Sequence, residues 1–151
     1  MEPKKLDALI SRYEDVYLFA TRMIGSIVAE LVQEMTMEQY FAVRFLSKHG
    51  PCPASRLAEA CGVNRSAVTA MVDRLVTKGY VTRIRDEVDR RVVYLETTEA
   101  GQTVYHATQE KIRQFVEFYL QQLEEEEAEA FIRIYEKIGN IISVNNGGEQ
   151  S

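Results

Sequence analysis

Asn64, Arg65, Ser66 and Thr69 fall within six positions of the chain, and Asp89, Arg90 and Arg91 form a second polar group further on. These side chains suit recognition better than bond-making. Asn, Ser and Thr donate and accept hydrogen bonds, and an Arg can clamp both acceptors of a guanine edge or a phosphate. The major groove of duplex DNA admits one helix, which meets base edges with residues near its N-terminus. A narrow minor groove concentrates negative potential, and Arg is the side chain that reads it. The candidate DNA contacts are therefore Asn64, Arg65, Ser66, Thr69 and Arg74 on a reading helix, with Arg90 and Arg91 on a second element. Asp89 could hold one of those arginines by a charge-assisted hydrogen bond. Asn64, Arg65 and Ser66 also sit where a helix N-terminus attracts phosphate. Either group alone reads as a solvated face or turn; together they favour DNA contact. Arg56 and Arg83 fit phosphate contact or packing better than base reading.

The elements that must position these residues can be read from caps and periodicity. Pro53 to Asn64 reads as a short helix, a Gly-containing turn at Gly62 and an N-cap at Asn64. The following helix, about 65–78, carries Val68, Met71, Val72, Leu75 and Val76 on one face, and Gly79 suits its C-terminal end. Tyr80–Arg85 and Val92–Thr97 are rich in β-branched and aromatic residues and flank the charged stretch 86–91, which predicts a two-stranded ribbon with a charged tip. On the N-terminal side, apolar residues at helical steps from Leu6 to Leu31 predict a long helix over about 5–33. Thr36-Met37-Glu38-Gln39 fits a capping box for the next helix, which stops near Gly50-Pro51. On the C-terminal side, Thr98 can cap another long helix, and the acidic run Glu124–Glu127 opens a last one with carboxylates suited to its dipole. The fold class expected is mainly α with a small two-stranded β-wing. Residues 36–97 form the winged helix-turn-helix, 1–35 and 98–144 the dimerisation helices, and 145–151 a flexible tail.

Charge follows the same division. The net charge is −5, yet residues 55–91 carry eight Lys or Arg against five Asp or Glu, net +3, while residues 110–151 are net −5. A basic centre in an acidic frame suits one face that meets phosphates and others that stay off them. Catalysis finds no support: no Gly-rich phosphate loop, nucleophile motif or carboxylate cluster with a nearby His is present. His49 and His106 lack metal-ligand spacing, even with Cys52, so no metal and no cofactor are expected. Cys61 reads as a small buried residue of the turn, whereas Cys52 lies in an apparent loop where exposure is open. No apolar run approaches the roughly 20 residues of a membrane helix, and acidic residues interrupt the N-terminal stretch where a signal would lie, so a cytoplasmic location is expected.

The chain resembles the MarR (multiple antibiotic resistance regulator) family of bacterial winged-helix transcription regulators. The resemblance runs through Thr36–Gln39, Leu57–Val63, Asn64–Leu75 and Lys78-Gly79-Tyr80-Val81, then Arg83, Asp89-Arg90-Arg91 and Leu95–Gly101. It implies an obligate homodimer, with the N- and C-terminal helices of two chains intertwined, that binds double-stranded DNA at a pseudo-palindromic operator to repress transcription and release on a signal. By analogy with the family, Arg91 is the first choice for the minor groove. Some relatives bind small aromatic acids, and Tyr13, Tyr17 and Phe45 are the residues here that would line such an inducer pocket. Relatives that sense oxidants carry a reactive Cys in the first helix; this chain has none there. The terminal helices support a dimer on their own, because they are longer and more apolar than a small monomer could cover. The alternative is a winged-helix adaptor that binds proteins and no operator. Operator sequence, regulated genes and inducer identity are not legible in the sequence, nor is repression as against activation.

Overall fold

Thr36 opens its helix through reciprocal hydrogen bonds: its hydroxyl accepts from the Gln39 amide at 3.2 Å, and its own amide donates to Gln39 Oε1 at 3.2 Å. The computed structural model, which describes residues 1–31 and 33–146, thus begins with α1 (Pro3–Leu31) and the capped α2 (Met37–His49). There follow β1 (Cys52–Pro53), α3 (Ala54–Cys61), α4 (Arg65–Thr77), β2 (Val81–Arg85), β3 (Val93–Thr97), α5 (Glu99–Leu120) and α6 (Glu125–Asn146). Both α1 and α4 lie within two residues of their expected limits. Of the tail expected over 145–151, residues 147–151 lie outside the described residues, and Asn145 and Asn146 belong to α6.

The wing is a three-stranded sheet rather than a two-stranded ribbon. Its order is β1-β3-β2, with Cys52 opposite Leu95, Pro53 opposite Tyr94, and Val81 opposite Thr97 through Arg85 opposite Val93. A strand of two residues is too short to show alternation, and Pro53 looks like a breaker. An edge strand tolerates Pro because the missing N–H need not face a neighbour. The pairing also corrects the placement of Cys52. It is 1% exposed and belongs to the core, where burial raises its thiol pKa against a smaller opposing pull from Arg56. Cys61 is half-buried at the end of α3, and its thiol is likewise raised, mainly by burial. Both sulfurs therefore favour the protonated, less nucleophilic form.

Residues Met1 to Ile112 form one compact unit, and those from Arg113 a second. The core of the first gathers Val43 and Leu46 of α2, Leu57 of α3, Val68, Val72 and Leu75 of α4, Val81 and Leu95 of the sheet, and Tyr105 of α5. Each fully buried Leu or Val contributes about 1.5–3 kcal/mol, so the apolar face of α4 fixes which of its faces meets solvent. In α1, by contrast, Leu6, Leu9, Ile10, Tyr13, Val16 and Tyr17 are each at least 42% exposed. In the second unit, Glu124 starts α6 by donating its amide to Glu127 Oε2 at 3.0 Å. Phe131 packs on Tyr119 and Tyr135 with ring centroids 6.4 and 4.7 Å away. Ile132, Ile134, Tyr135, Ile138, Ile141 and Ile142 of α6 remain at least 43% exposed. Among the described residues, no helix is long and apolar enough to cross a membrane.

Candidate nucleic-acid interface

Asn64 fixes the start of α4. Its side-chain oxygen accepts from the Ala67 amide at 2.8 Å, while Gly62, in the left-handed region at φ 64°, turns the chain out of α3. Because Val68, Met71, Val72 and Leu75 face inward, Arg65, Ser66, Thr69, Asp73 and Arg74 are left exposed. At about 100° per residue, Ser66, Thr69 and Asp73 lie near the middle of the exposed face, with Arg65 and Arg74 on opposite margins. The Thr69 hydroxyl donates to the Arg65 carbonyl at 2.9 Å, which leaves its oxygen free to accept. Among the described residues, no partner is recorded for the side chains of Arg65, Ser66 and Arg74.

Asp73 would put a carboxylate in the middle of a face suited to phosphates. Arg83 of β2 forms an ion pair with it, which offsets that charge and ties the strand to α4. Arg83 thus has a packing role, one of the two roles expected for it. Arg56 stands over the Phe45 ring, 5.8 Å from its centroid.

The wing tip is organised by two carboxylates. Asp86 Oδ1 accepts from the amides of Val88 and Asp89 at 2.9 and 2.8 Å, and the Asp86 amide donates to the Val92 carbonyl at 3.0 Å. Asp89 then takes the Arg91 guanidinium in a fork, Nε to Oδ1 at 3.0 Å and Nη2 to Oδ2 at 3.1 Å, and accepts from the Arg91 amide at 3.1 Å. Arg91 holds the Asp89 carboxyl below its ordinary value, and Asp89 raises that of Arg91 in return. Two of the five guanidinium N–H groups are used, so three still point to solvent from a side chain that is 91% exposed. Arg90 is exposed, with no side-chain partner among the described residues.

Of the three residues expected in an inducer pocket, only Phe45 lines a cavity. That cavity, about 520 Å³, also has Phe41, Arg44, Lys48, His49 and Met71 on its walls. Tyr13 and Tyr17 stack on each other at 5.0 Å on α1 and are not among its lining residues. Within one chain, the three are not brought together.

Sequence reasoning missed how α4 is held at its far end. The α4 C-cap residue is Lys78, and Gly79 has φ 78°. Lys78 Nζ donates to the Glu34 carbonyl at 2.8 Å and to Gln39 Oε1 at 3.3 Å, and Tyr80 Oη donates to Glu34 Oε2 at 3.1 Å. On the other side, the Thr98 hydroxyl donates to the Gly79 carbonyl at 2.5 Å, and its amide to the Tyr80 carbonyl at 3.0 Å. Gly101 lies so close that a Cβ there would come 2.1 Å from the Tyr80 carbonyl oxygen. The motif residues Lys78-Gly79-Tyr80 and Thr98–Gly101 were visible in the sequence, but their contacts were not.

Comparison with known proteins follows this geometry. The description "MarR family" matches residues 35–93, which span α2 to the start of β3. The HTH-type transcriptional repressor MdtR of Bacillus subtilis is 33% identical over 129 residues, covering 82% of this chain and 81% of MdtR. The uncharacterised HTH-type transcriptional regulator YpoP of the same organism is 37% identical over 81 residues; the match spans 54% of this chain and 57% of YpoP. Among solved structures, a variant of MarR from E. coli complexed with operator DNA shares the fold at a TM-score of 0.72, with 20% identity, covering 85% of this chain and 94% of that one.

Proposed function

The chain belongs to the MarR family, and from that premise we propose that it is a homodimeric repressor that reads a pseudo-palindromic operator with α4 in the major groove and the wing in the minor groove. It is a DNA-binding transcription regulator and not an enzyme. The observation that carries the mechanism is the pairing of two exposed surfaces. The face of α4 bearing Ser66 and Thr69 between Arg65 and Arg74 is free of packing, and the adjoining hairpin presents Arg91 already oriented by Asp89. In this reading Arg65 clamps a guanine and Thr69 and Ser66 bond to base edges. Arg74, on the other margin, meets phosphate, as do the backbone amides around Asn64. Arg91 enters the minor groove with its unused N–H groups directed at the acceptors there, and Arg90 tracks the backbone.

The dimer is supported by the apolar side chains that α1 and α6 leave uncovered in one chain, since contiguous exposed apolar surface on this scale marks an interface. A two-fold axis would then place two α4 helices in successive major grooves, roughly 34 Å apart. A small inducer is proposed for the Phe45 cavity. Arg44, Lys48 and His49 beside Phe41 and Phe45 suit a planar aromatic acid, which would act by shifting a two-state dimer toward a spacing that no longer fits the operator. The site of action would be the cytoplasm, where the DNA is.

Selection of bound sequences from a random duplex pool, followed by a shift assay on the winners, tests the function. Enrichment of an inverted repeat is expected. A pool that never enriches would contradict operator binding and favour a protein-binding adaptor.

A further inference from the structure

Lys78 and Tyr80 follow α4 immediately, yet their side chains reach residues more than forty positions earlier. Lys78 Nζ bridges the Glu34 carbonyl and Gln39 Oε1, and Tyr80 Oη meets the Glu34 carboxylate. Gln39 is 3% exposed, and its Oε1 also accepts from the Thr36 amide, so the lysine is tied into the capping box that starts α2. Three donor–acceptor pairs thus fasten the end of the reading helix to the segment between α1 and α2. On the opposite side of the same turn, Thr98 and the close approach of Gly101 fasten it to the start of α5. The turn 78–80 is therefore held between two of the helices assigned to the dimer.

We propose that Lys78 and Tyr80 are positioning residues for DNA reading: by fastening the end of α4 to the α1–α2 segment, they fix the angle of the reading helix relative to the dimer helices, and so the half-site spacing that the protein accepts. This rests on the operator-binding reading given above. A charged ammonium bonded to two oxygens is stronger than a neutral pair, and removing it frees α4 to pivot about the remaining α5 attachment. The outcome of a looser attachment is tolerance of wrong spacing, since a rigid pair of reading heads is what penalises a misplaced half-site.

The test uses the full-length protein and the best duplex that the wild type selects from a random pool, with one base pair inserted or removed between half-sites. One base pair turns a half-site by roughly 34° and shifts it by about 3.4 Å, so wild type is expected to lose roughly tenfold or more on the altered duplexes. Lys78→Met and Tyr80→Phe are expected to lose less than roughly threefold on the same duplexes, while Lys78→Arg, which keeps charge and donors, retains the wild-type discrimination. The salt dependence of binding should not change in any variant. A drop of about 0.9 in the slope of log affinity against log salt for Lys78→Met would make it a phosphate contact and overturn the proposal. Undiminished spacing discrimination in both Lys78→Met and Tyr80→Phe would overturn it too. Tyr80→Phe removes only a hydroxyl, so the test survives if the lysine variant fails to fold. A wild type that selects no duplex fails the DNA-reading function itself, before any variant is made.

Discussion

Gly101→Ala adds one methyl group to the first turn of α5, and the sign of its effect separates two accounts of that glycine. In an open helix the change would stabilise by about 1 kcal/mol, because Ala is the better helix former. Here the new Cβ would stand 2.1, 2.9 and 3.1 Å from the oxygen, carbon and Cα of Tyr80, where ordinary contact starts at 3.4 Å. All three atoms are backbone, so relief requires moving the start of α5 away from the turn after α4 by more than about 1 Å. That motion strains or breaks the bonds from Thr98 to Gly79 and Tyr80. Overpacking costs about 1–3 kcal/mol, and each lost hydrogen bond about 0.5–1.5 kcal/mol. Set against the propensity gain, the net expectation is a loss of about 2 kcal/mol, which for a chain of this size lowers Tm by roughly 4–8 °C. Thermal and urea unfolding should be compared at one protein concentration, because dimerisation couples stability to concentration. A Tm that is unchanged or higher than wild type would refute the close packing of α5 on Tyr80.

Four further outcomes follow from the interface and the dimer helices. Arg91→Ala should weaken operator binding while leaving the dimer intact by sedimentation; undiminished affinity would show that the wing does not reach DNA. Arg65→Ala should cost about 1–3 kcal/mol of binding and relax selectivity at one base pair, whereas a uniform loss over all sequences would reassign it to phosphate. Ile138→Glu should shift the protein toward monomers in sedimentation velocity, since a charge at a covered apolar position is costly; an unchanged dimer would place the interface elsewhere. The Asp89 carboxyl is held below its ordinary value of 3.8, so its pairing with Arg91 is complete above the unfolded value and is lost as pH falls through the lowered native one. Titration of Asp89 by NMR should show that depression, and operator affinity should not vary through this pair between about pH 5 and 8; a carboxyl titrating at or above its ordinary value would contradict the fork.

What was legible in the sequence is what local chemistry dictates. The Thr36–Gln39 box and the Asn64 and Thr98 caps are bonds across three residues, so the residue types and their spacing suffice to expect them. The inward face of α4 follows from a 3.6-residue period, which also determines which polar residues remain outside. β1 was not legible, because two residues carry no period and Pro53 argues against a strand until its edge position is known. Cys52 was misplaced for the same reason: its burial comes from pairing with Leu95, a residue far along the chain. Lys78, Tyr80 and Gly101 belong to recognisable motifs, yet what each one touches is set by tertiary packing. Tyr13, Tyr17 and Phe45 share an aromatic character that the sequence reading grouped into one pocket, and the single chain separates them. The net charge of −5 conceals a reading head whose local charge has the opposite sign.

Salt dependence tests the central claim most directly. Binding of the wild-type protein to its best selected duplex should be measured across a salt series, with the slope of log affinity against log salt as the result. A dimer that neutralises about 6–10 phosphates with its arginines, lysines and helix N-termini should give a slope of roughly −5 to −9 and lose about 10³ to 10⁵ in affinity between about 50 and 200 mM salt. A flat response, or no measurable affinity for any selected duplex at low salt, would contradict the account of α4 and the wing as a DNA-reading head.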